Sequence, residues 1–439
     1  MKTLRLAPLF VAVGTVLALP AQAQNLVELY QSARGFDATY QSAKSQFEAT
    51  VSKSAQARAA ILPTVGLSAG LSRTHLESST AADRSFGAQS ATLSASQPLY
   101  RPVNQAAYEQ GKKQLGLAHA QLNAAEQELI VRTSQAYFDV LAAIDNLTFV
   151  SAQKAAVAEQ LASAKRNFEV GTATITDTRE AQARYDLVLA QEIAAENDLR
   201  IRKIALDQLT GRADAKPDQL SLRAALPALV PADADAWVSR SEEVHPGIQQ
   251  ALIALDVAQL ETTKAQAGHQ PTLDLTGSYN ITKNSGSSNG LNPDSRTNTA
   301  AIGLSFNLPL FAGYAIQNRV KETLALQDKA RNDLDGAKRA VAQATRTAYF
   351  GVLSGQGQVK ALEAAEASSQ SALEANKLGY QVGVRINIDV LNAQSQLFDT
   401  KAKLAKARYD VLLGGLKLRQ ANGTLTAEDL QSVNALLTK

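Results

Sequence analysis

Hydroxyl, carboxylate, guanidinium and phenol groups gather in two short stretches that start 212 residues apart. Residues 170–177 read Val-Gly-Thr-Ala-Thr-Ile-Thr-Asp, and residues 382–389 read Val-Gly-Val-Arg-Ile-Asn-Ile-Asp. The first offers the Thr176 hydroxyl and the Asp177 carboxylate; the second offers Arg385 and Asp389, with the Tyr380 phenol just upstream. Carboxylates, a guanidinium and a phenol with no activated nucleophile suit the holding of charge by ion pairs and hydrogen bonds. Arg385 and Asp389 also have the spacing to pair along one helix, where Arg before Asp contributes only about 0.2 to 0.5 kcal/mol. Tyr380 alone equally suits aromatic packing.

Covalent and metal chemistry lack their reagents. The chain has no cysteine, and His75, His119, His245 and His269 are dispersed without metal-ligand spacing. Glu242 and Glu243 are adjacent, so on a helix they point about 100° apart and do not converge on one substrate. The expectation is a protein that is not an enzyme and uses no cofactor or metal.

The elements that position the two stretches are helices. Each stretch follows one long Ala-rich helical pattern and precedes another, so Gly171 and Gly383 are expected to end helices in the positive-φ conformation that glycine adopts at least cost. The same offset relates residues 135–138 (Gln-Ala-Tyr-Phe) to 347–350 (Thr-Ala-Tyr-Phe), Ala181-Gln182 to Ala393-Gln394, and Gly211 to Gly423. Two homologous halves are therefore expected, at 24–226 and 227–439. Each reads helix, two strands, very long helix, glycine tip, helix. Leu115, Leu122, Leu129, Ala136, Ala143, Val150, Val157 and Ala164 keep a seven-residue spacing that argues for a coiled-coil seam. A helix over 103–170 would run about 100 Å, several times the hydrocarbon thickness of a bilayer, so it must cross water.

Strands are expected at about 64–74, 88–99, 272–282 and 299–310. Val65, Leu67, Ala69 and Leu71, like Ile302, Leu304, Phe306 and Leu308, alternate with small or polar residues, as in outer-membrane barrel strands. An antiparallel sheet on a soluble core gives the same alternation. Long polar segments at 74–88 and 282–298 favour the barrel, as do Pro63, Pro98, Pro271 and Pro309 at the opposite strand ends. Four strands cannot enclose a lumen, so several chains must share one barrel. Segments 212–240, with the sole tryptophan Trp237, and 425–439 are expected to form a belt midway along the helices.

Lys2 and Arg5, the apolar run 6–19 and Ala21-Gln22-Ala23 form a secretory signal peptide over 1–23. Without Lys2 and Arg5, 42 basic residues face 41 acidic ones, which speaks against a nucleic-acid partner. Residue 24 is Gln24, so no lipidated cysteine starts the mature chain.

Duplicated halves, Thr-Leu-Asp-Leu-Thr-Gly from Thr272, Gly-Leu-Ser-Phe-Asn-Leu-Pro-Leu from Gly303, Ala-Tyr-Phe-Asp-Val-Leu-Ala-Ala-Ile-Asp from Ala136, Ile-Thr-Asp from Ile175 and Asp-Val-Leu from Asp389 together resemble the TolC family of outer-membrane exit ducts. The resemblance implies a homotrimer: a twelve-stranded outer-membrane barrel, four strands per chain, continuous with a coiled-coil periplasmic tunnel. It implies export by tripartite efflux or type I secretion, with a periplasmic adaptor and an inner-membrane efflux pump or ABC transporter as partners. The tips Val170, Gly171, Thr172 and Val382, Gly383, Val384 would dock the adaptor, the second departing from the family pattern at Val384. Tyr380 and Arg385 would latch onto Thr176 and Asp177. Asp389 would form a charged constriction whose second aspartate is replaced by Asn392, leaving a weaker cation preference, and Gln160 and Lys377 would retain part of a further latch. A periplasmic coiled-coil adaptor or scaffold is the alternative; it gives no role to four barrel-like strands.

Overall fold

The computed structural model describes residues 25–80, 83–221, 226–286 and 294–437. The leader at 1–23, part of the polar segments at 81–82 and 287–293, and part of the belt segments at 222–225 and 438–439 lie outside the described residues.

Each half begins with two helices where the sequence suggests one. In the first, α1 (Leu26–Phe36) stops at Asp37 and α2 (Ala38–Ala59) starts. The Asp37 carboxylate accepts from Tyr40 N at 2.7 Å and takes two bonds from Arg132, at 2.8 and 3.0 Å. In the second, α5 (Ala234–Val244) gives way at His245 to α6 (Pro246–Gln266), with Pro246 at the first helical position. A residue before proline is biased away from helix, and His245 Nδ1 accepts from Gly247 N at 3.0 Å. Asp37 and His245 are 208 residues apart, the offset that also separates Pro63 from Pro271.

Four antiparallel strands follow in the order β1-β2-β3-β4: β1 (Thr64–Leu76), β2 (Arg84–Tyr100), β3 (Thr272–Ser285) and β4 (Asp294–Asn307). The register aligns Val65, Ala95, Gly277 and Ile302 across the sheet, then Leu67, Leu93, Tyr279 and Ala300. With side chains alternating, the apolar set lies on one face. Gly66, Ser94, Ser278 and Ala301 occupy the other, as do Ser68, Thr92, Asn280 and Thr299. The strands run further into the polar segments than expected, because the ladder is built from backbone groups and does not require apolar side chains. At the other end β4 stops at Asn307, short of the expected 310; Pro309 has no N–H to continue the ladder. Pro98 lies within β2, beside a register shift between Pro98 and Tyr100. Arg101 joins sheet to helix by donating from Nε and Nη2 to Asp274, at 2.7 and 2.5 Å.

Beyond the sheet, α3 (Pro102–Glu169) has 68 residues and α7 (Ala315–Gln381) has 67, each about 100 Å long. They turn into α4 (Ile175–Thr210) and α8 (Asn387–Ala421). Of the first seam, Leu129, Ala143, Val157 and Ala164 are buried. Among the described residues no helix is long and apolar enough to cross a membrane.

The largest core sits partway along α3 and α8. Tyr137 and Phe138 pack there with Leu26 and Leu29 of α1, Tyr409, Leu412 and Leu416 of α8, and Leu430 and Val433 of α9 (Asp429–Asn434). Tyr137 Oη donates to Asp218 O at 2.8 Å, and Leu220 forms a β-bridge with Leu437, so the two segments that follow α4 and α8 meet at this level. Gly423, at φ 80°, ends α8 there. A Cβ on it would lie 2.4 Å from His245 Cα, where backbone cannot yield. Gly423→Ala should therefore destabilise the protein by at least about 2 kcal/mol, from φ strain and collision together. Thermal unfolding in detergent measures it, with the unobstructed Gly415→Ala in mid-helix as a control expected to stabilise by up to about 1 kcal/mol.

Nearer the sheet, Glu261 of α6 accepts from Gln110 Nε2 at 2.8 Å, Lys264 Nζ at 2.7 Å and Arg319 Nη2 at 2.7 Å, tying α3, α6 and α7 together. Burial pushes its carboxyl upward, but these donors outweigh that and hold it at about 2. A depressed folded value adds stability that is present above the ordinary 4.5 and disappears as pH falls toward 2. Glu261→Gln is expected to flatten the acid limb of unfolding temperature against pH in that window. An unaltered limb would show that the clasp adds nothing.

Candidate functional site: the helical tips and their ties

Both tips close by the same backbone device. At the first, Thr172 N donates to Asn167 O at 2.8 Å and Gly171 N to Phe168 O at 3.0 Å; at the second, Val384 N donates to Gly379 O at 2.9 Å and Gly383 N to Tyr380 O at 3.1 Å. This pair of bonds is the Schellman arrangement, and it requires the left-handed residue found here as Gly171 at φ 81° and Gly383 at φ 78°. A Cβ at either glycine would meet nothing within 4 Å.

The helices that leave the tips start differently. Thr174 caps α4: Asp177 N donates to Thr174 Oγ1 at 3.2 Å, and the Asp177 carboxylate accepts from Thr174 N and Oγ1 at 2.9 and 2.7 Å. Its counterparts 212 residues on are Ile386 and Asp389. Ile386 has no polar side chain, so only the Asp389 carboxylate remains, accepting from Ile386 N at 3.5 Å. The second tip exposes Val382, Val384 and Ile386 at 66, 78 and 60 %, an apolar end that surrenders a cap normally worth about 1 kcal/mol.

Tyr380 and Arg385 do not reach Thr176 and Asp177 within this chain. Asn167 Nδ2 donates to Tyr380 Oη at 3.3 Å, and Arg385 Nη1 lies 3.8 Å from Asp389 Oδ2. Asp177 is already held in its own cap. Thr176 and Lys377 are exposed. Gln160 does make a tie between the hairpins, donating from Nε2 to Asn387 Oδ1. Asn387, which the motif reading passed over, is fully buried and also donates from Nδ2 to Asp177 O at 3.2 Å. Its counterpart in the first half is Ile175, and a polar residue in a slot that is apolar in the other copy is the signal that marks it. Asn392, exposed one turn beyond Asp389, accepts a 2.7 Å bond from Arg184 Nη2 on α4. Among the described residues no three His, Asp or Glu gather to hold a metal.

A sheet with one apolar face, joined to helices three times longer than a bilayer core is thick and ending in paired glycine tips, defines a channel-forming outer-membrane protein with a periplasmic helical stem. The model of the family described as outer membrane efflux protein matches residues 29–212 and 237–424. The outer membrane protein TolC of Vibrio cholerae is 36% identical over 433 residues, 98% of each chain. The alkaline protease secretion protein AprF of Pseudomonas aeruginosa is 32% identical over 438 residues, 97% of this chain and 90% of that one. In fold, the crystal structure of the outer membrane protein VceC from Vibrio cholerae is similar with a TM-score of 0.76 at 19% identity, over 91% of this chain and 96% of that one. The chain belongs to the outer membrane efflux protein family, and its place is the outer membrane.

Proposed function

We propose that three copies of this chain assemble into one twelve-stranded barrel standing on a helical tunnel, an exit duct for tripartite efflux pumps or type I secretion. The observation that carries this reading is the sheet. Its four strands share one apolar face, yet among the described residues β1 and β4 each leave one edge without a partner, and a lipid-exposed edge is not tolerated. Pairing β4 of each copy with β1 of the next closes the ring and satisfies every strand. The relatives named for efflux and for protease secretion support the export role.

In this assembly the tips point into the periplasm. Val170, Gly171, Thr172, Val382, Gly383 and Val384 form the face that meets a periplasmic adaptor, which brings an inner-membrane efflux pump or ABC transporter with it. Asp389 and Asn392 line the narrow end. Gln160 and Asn387 tie the hairpins, and Tyr380, Arg385, Thr176, Asp177 and Lys377 stand at the surfaces that neighbouring hairpins bring together. A photocrosslinker at position 384 in intact cells tests docking: the expected product joins this chain to a periplasmic adaptor. Crosslinks to no adaptor, from a correctly assembled protein, would contradict it.

A further inference from the structure

We propose that Arg184 sets the ion preference of the narrow end by making its second layer cationic. The proposal rests on the reading that Asp389 and Asn392 line the constriction. Arg184 is half-buried on α4, and its Nη2 donates to Asn392 Oδ1 at 2.7 Å. Asn392 follows Asp389 by three residues on α8, so the two layers stand about 4.5 Å apart along the axis.

The nature of the acceptor decides the electrostatics. A carboxylate at 392 would neutralise the guanidinium. An amide oxygen takes one hydrogen bond and cancels no charge, leaving Arg184 its full charge and its remaining N–H donors. Among the described residues no carboxylate comes within ion-pair distance of it, and Glu180, one turn earlier on α4, makes no such pair. Arg184 borders a groove between α3, α4 and α8 whose carboxylates are Asp399 and Asp198. These lie seven residues beyond Asn392 and fourteen beyond Arg184, about 10 and 20 Å along the helices and beyond a Debye length at physiological salt. Nearer the tip, Asp389 shares its charge with Arg385 at 3.8 Å.

In the two layers around Asp389 and Asn392, the Asp389 carboxylate thus faces the Arg385 guanidinium and Asn392 holds that of Arg184, while the Asp177 carboxylate is engaged in its own helix cap. Asn392 is more than the loss of an aspartate, because it anchors a positive charge in that aspartate's place. The ligands the second layer favours are anions, inorganic or carboxylate and phosphate groups on cargo, which a planar guanidinium can bind through paired donors. Multivalent cations are attracted by Asp389 and repelled one turn further in.

Reversal potentials in planar bilayers under a potassium chloride gradient test this. Arg184→Gln should raise the potassium-to-chloride permeability ratio by about threefold or more, the factor that a unit charge about 6 Å from a passing ion exerts in a water-like dielectric. It should also lower the trivalent cation concentration needed for block. Arg184→Lys should keep the original ratio, since charge rather than shape is at issue. Asn392→Asp should move the ratio as Arg184→Gln does, and it serves as the test if Arg184→Gln fails to assemble. Asp389→Asn probes the underlying reading and should move the ratio toward chloride. If Asp389→Asn shifts selectivity while Arg184→Gln and Asn392→Asp do not, the role of Arg184 is overturned. If none of the three shifts it, the constriction lies elsewhere and the proposal falls with it.

Discussion

Replacing Gly171 and Gly383 together by arginine is expected to stop export while leaving the assembly intact. Each substitution strains a left-handed backbone position by about 1 kcal/mol. Neither meets a neighbour within the chain, because the space around both glycines is open to 4 Å. The burial that holds the hairpins together is further up, around Val157, Leu161, Ala181 and Val188 in one and Leu373, Val390 and Leu397 in the other. Loss of function must then come from what approaches the tips from outside. Gly171→Ala with Gly383→Ala carries the same φ strain with little bulk and should retain most export. Efflux-dependent drug resistance or secretion of a reporter, beside the heat-resistant oligomer on gels, reads both effects. Full export by the double arginine variant would remove the tips from the docking surface.

Asn387→Ala is expected to loosen the closed tip and raise conductance. Asn387 links α8 to the Asp177 carbonyl on α4 and to Gln160 on α3, and it does so with its side chain fully buried. Removing it deletes two part-buried hydrogen bonds, about 1 to 3 kcal/mol together against the closed state. An equilibrium between closed and open tips would move by roughly 5- to 150-fold. Gln160→Ala should do less, because Asn387 keeps its bond to Asp177. Single-channel conductance of the purified protein is the readout, and a value unchanged in Asn387→Ala would mean that the hairpins are held by other contacts.

The parts of this architecture that local spacing encodes were legible in the sequence: glycines that stop helices, a seven-residue apolar repeat, and two-residue alternation in the strands. What spacing does not encode was missed in consistent ways. The breaks at Asp37 and His245 depend on caps inside otherwise helical patterns, and Asp37 is fixed by Arg132, 95 residues away. The strands run past their apolar stretches because side-chain polarity tracks lipid contact, whereas the ladder depends on backbone groups. Arg184 and Asn392 meet across 208 residues, and Asn387 reaches Asp177 across 210. Neither pair has a local signature; each became visible only as a difference between duplicated halves or as a contact between hairpins. Resemblance to a family supplied roles for Tyr380, Arg385, Thr176 and Asp177; within this chain the Asp177 carbonyl is tied by Asn387, Tyr380 accepts from Asn167 and Arg385 faces Asp389.

The assembly turns on one quantity, the number of chains that share the barrel. Native mass spectrometry of the protein extracted from outer membranes in detergent, with the same sample inserted into planar bilayers, measures it beside the channel it forms. The expected result is a complex of three mature chains that opens a conducting pore. A folded single chain would leave β1 and β4 unpaired, and either that or a closed complex of another number would contradict the trimer.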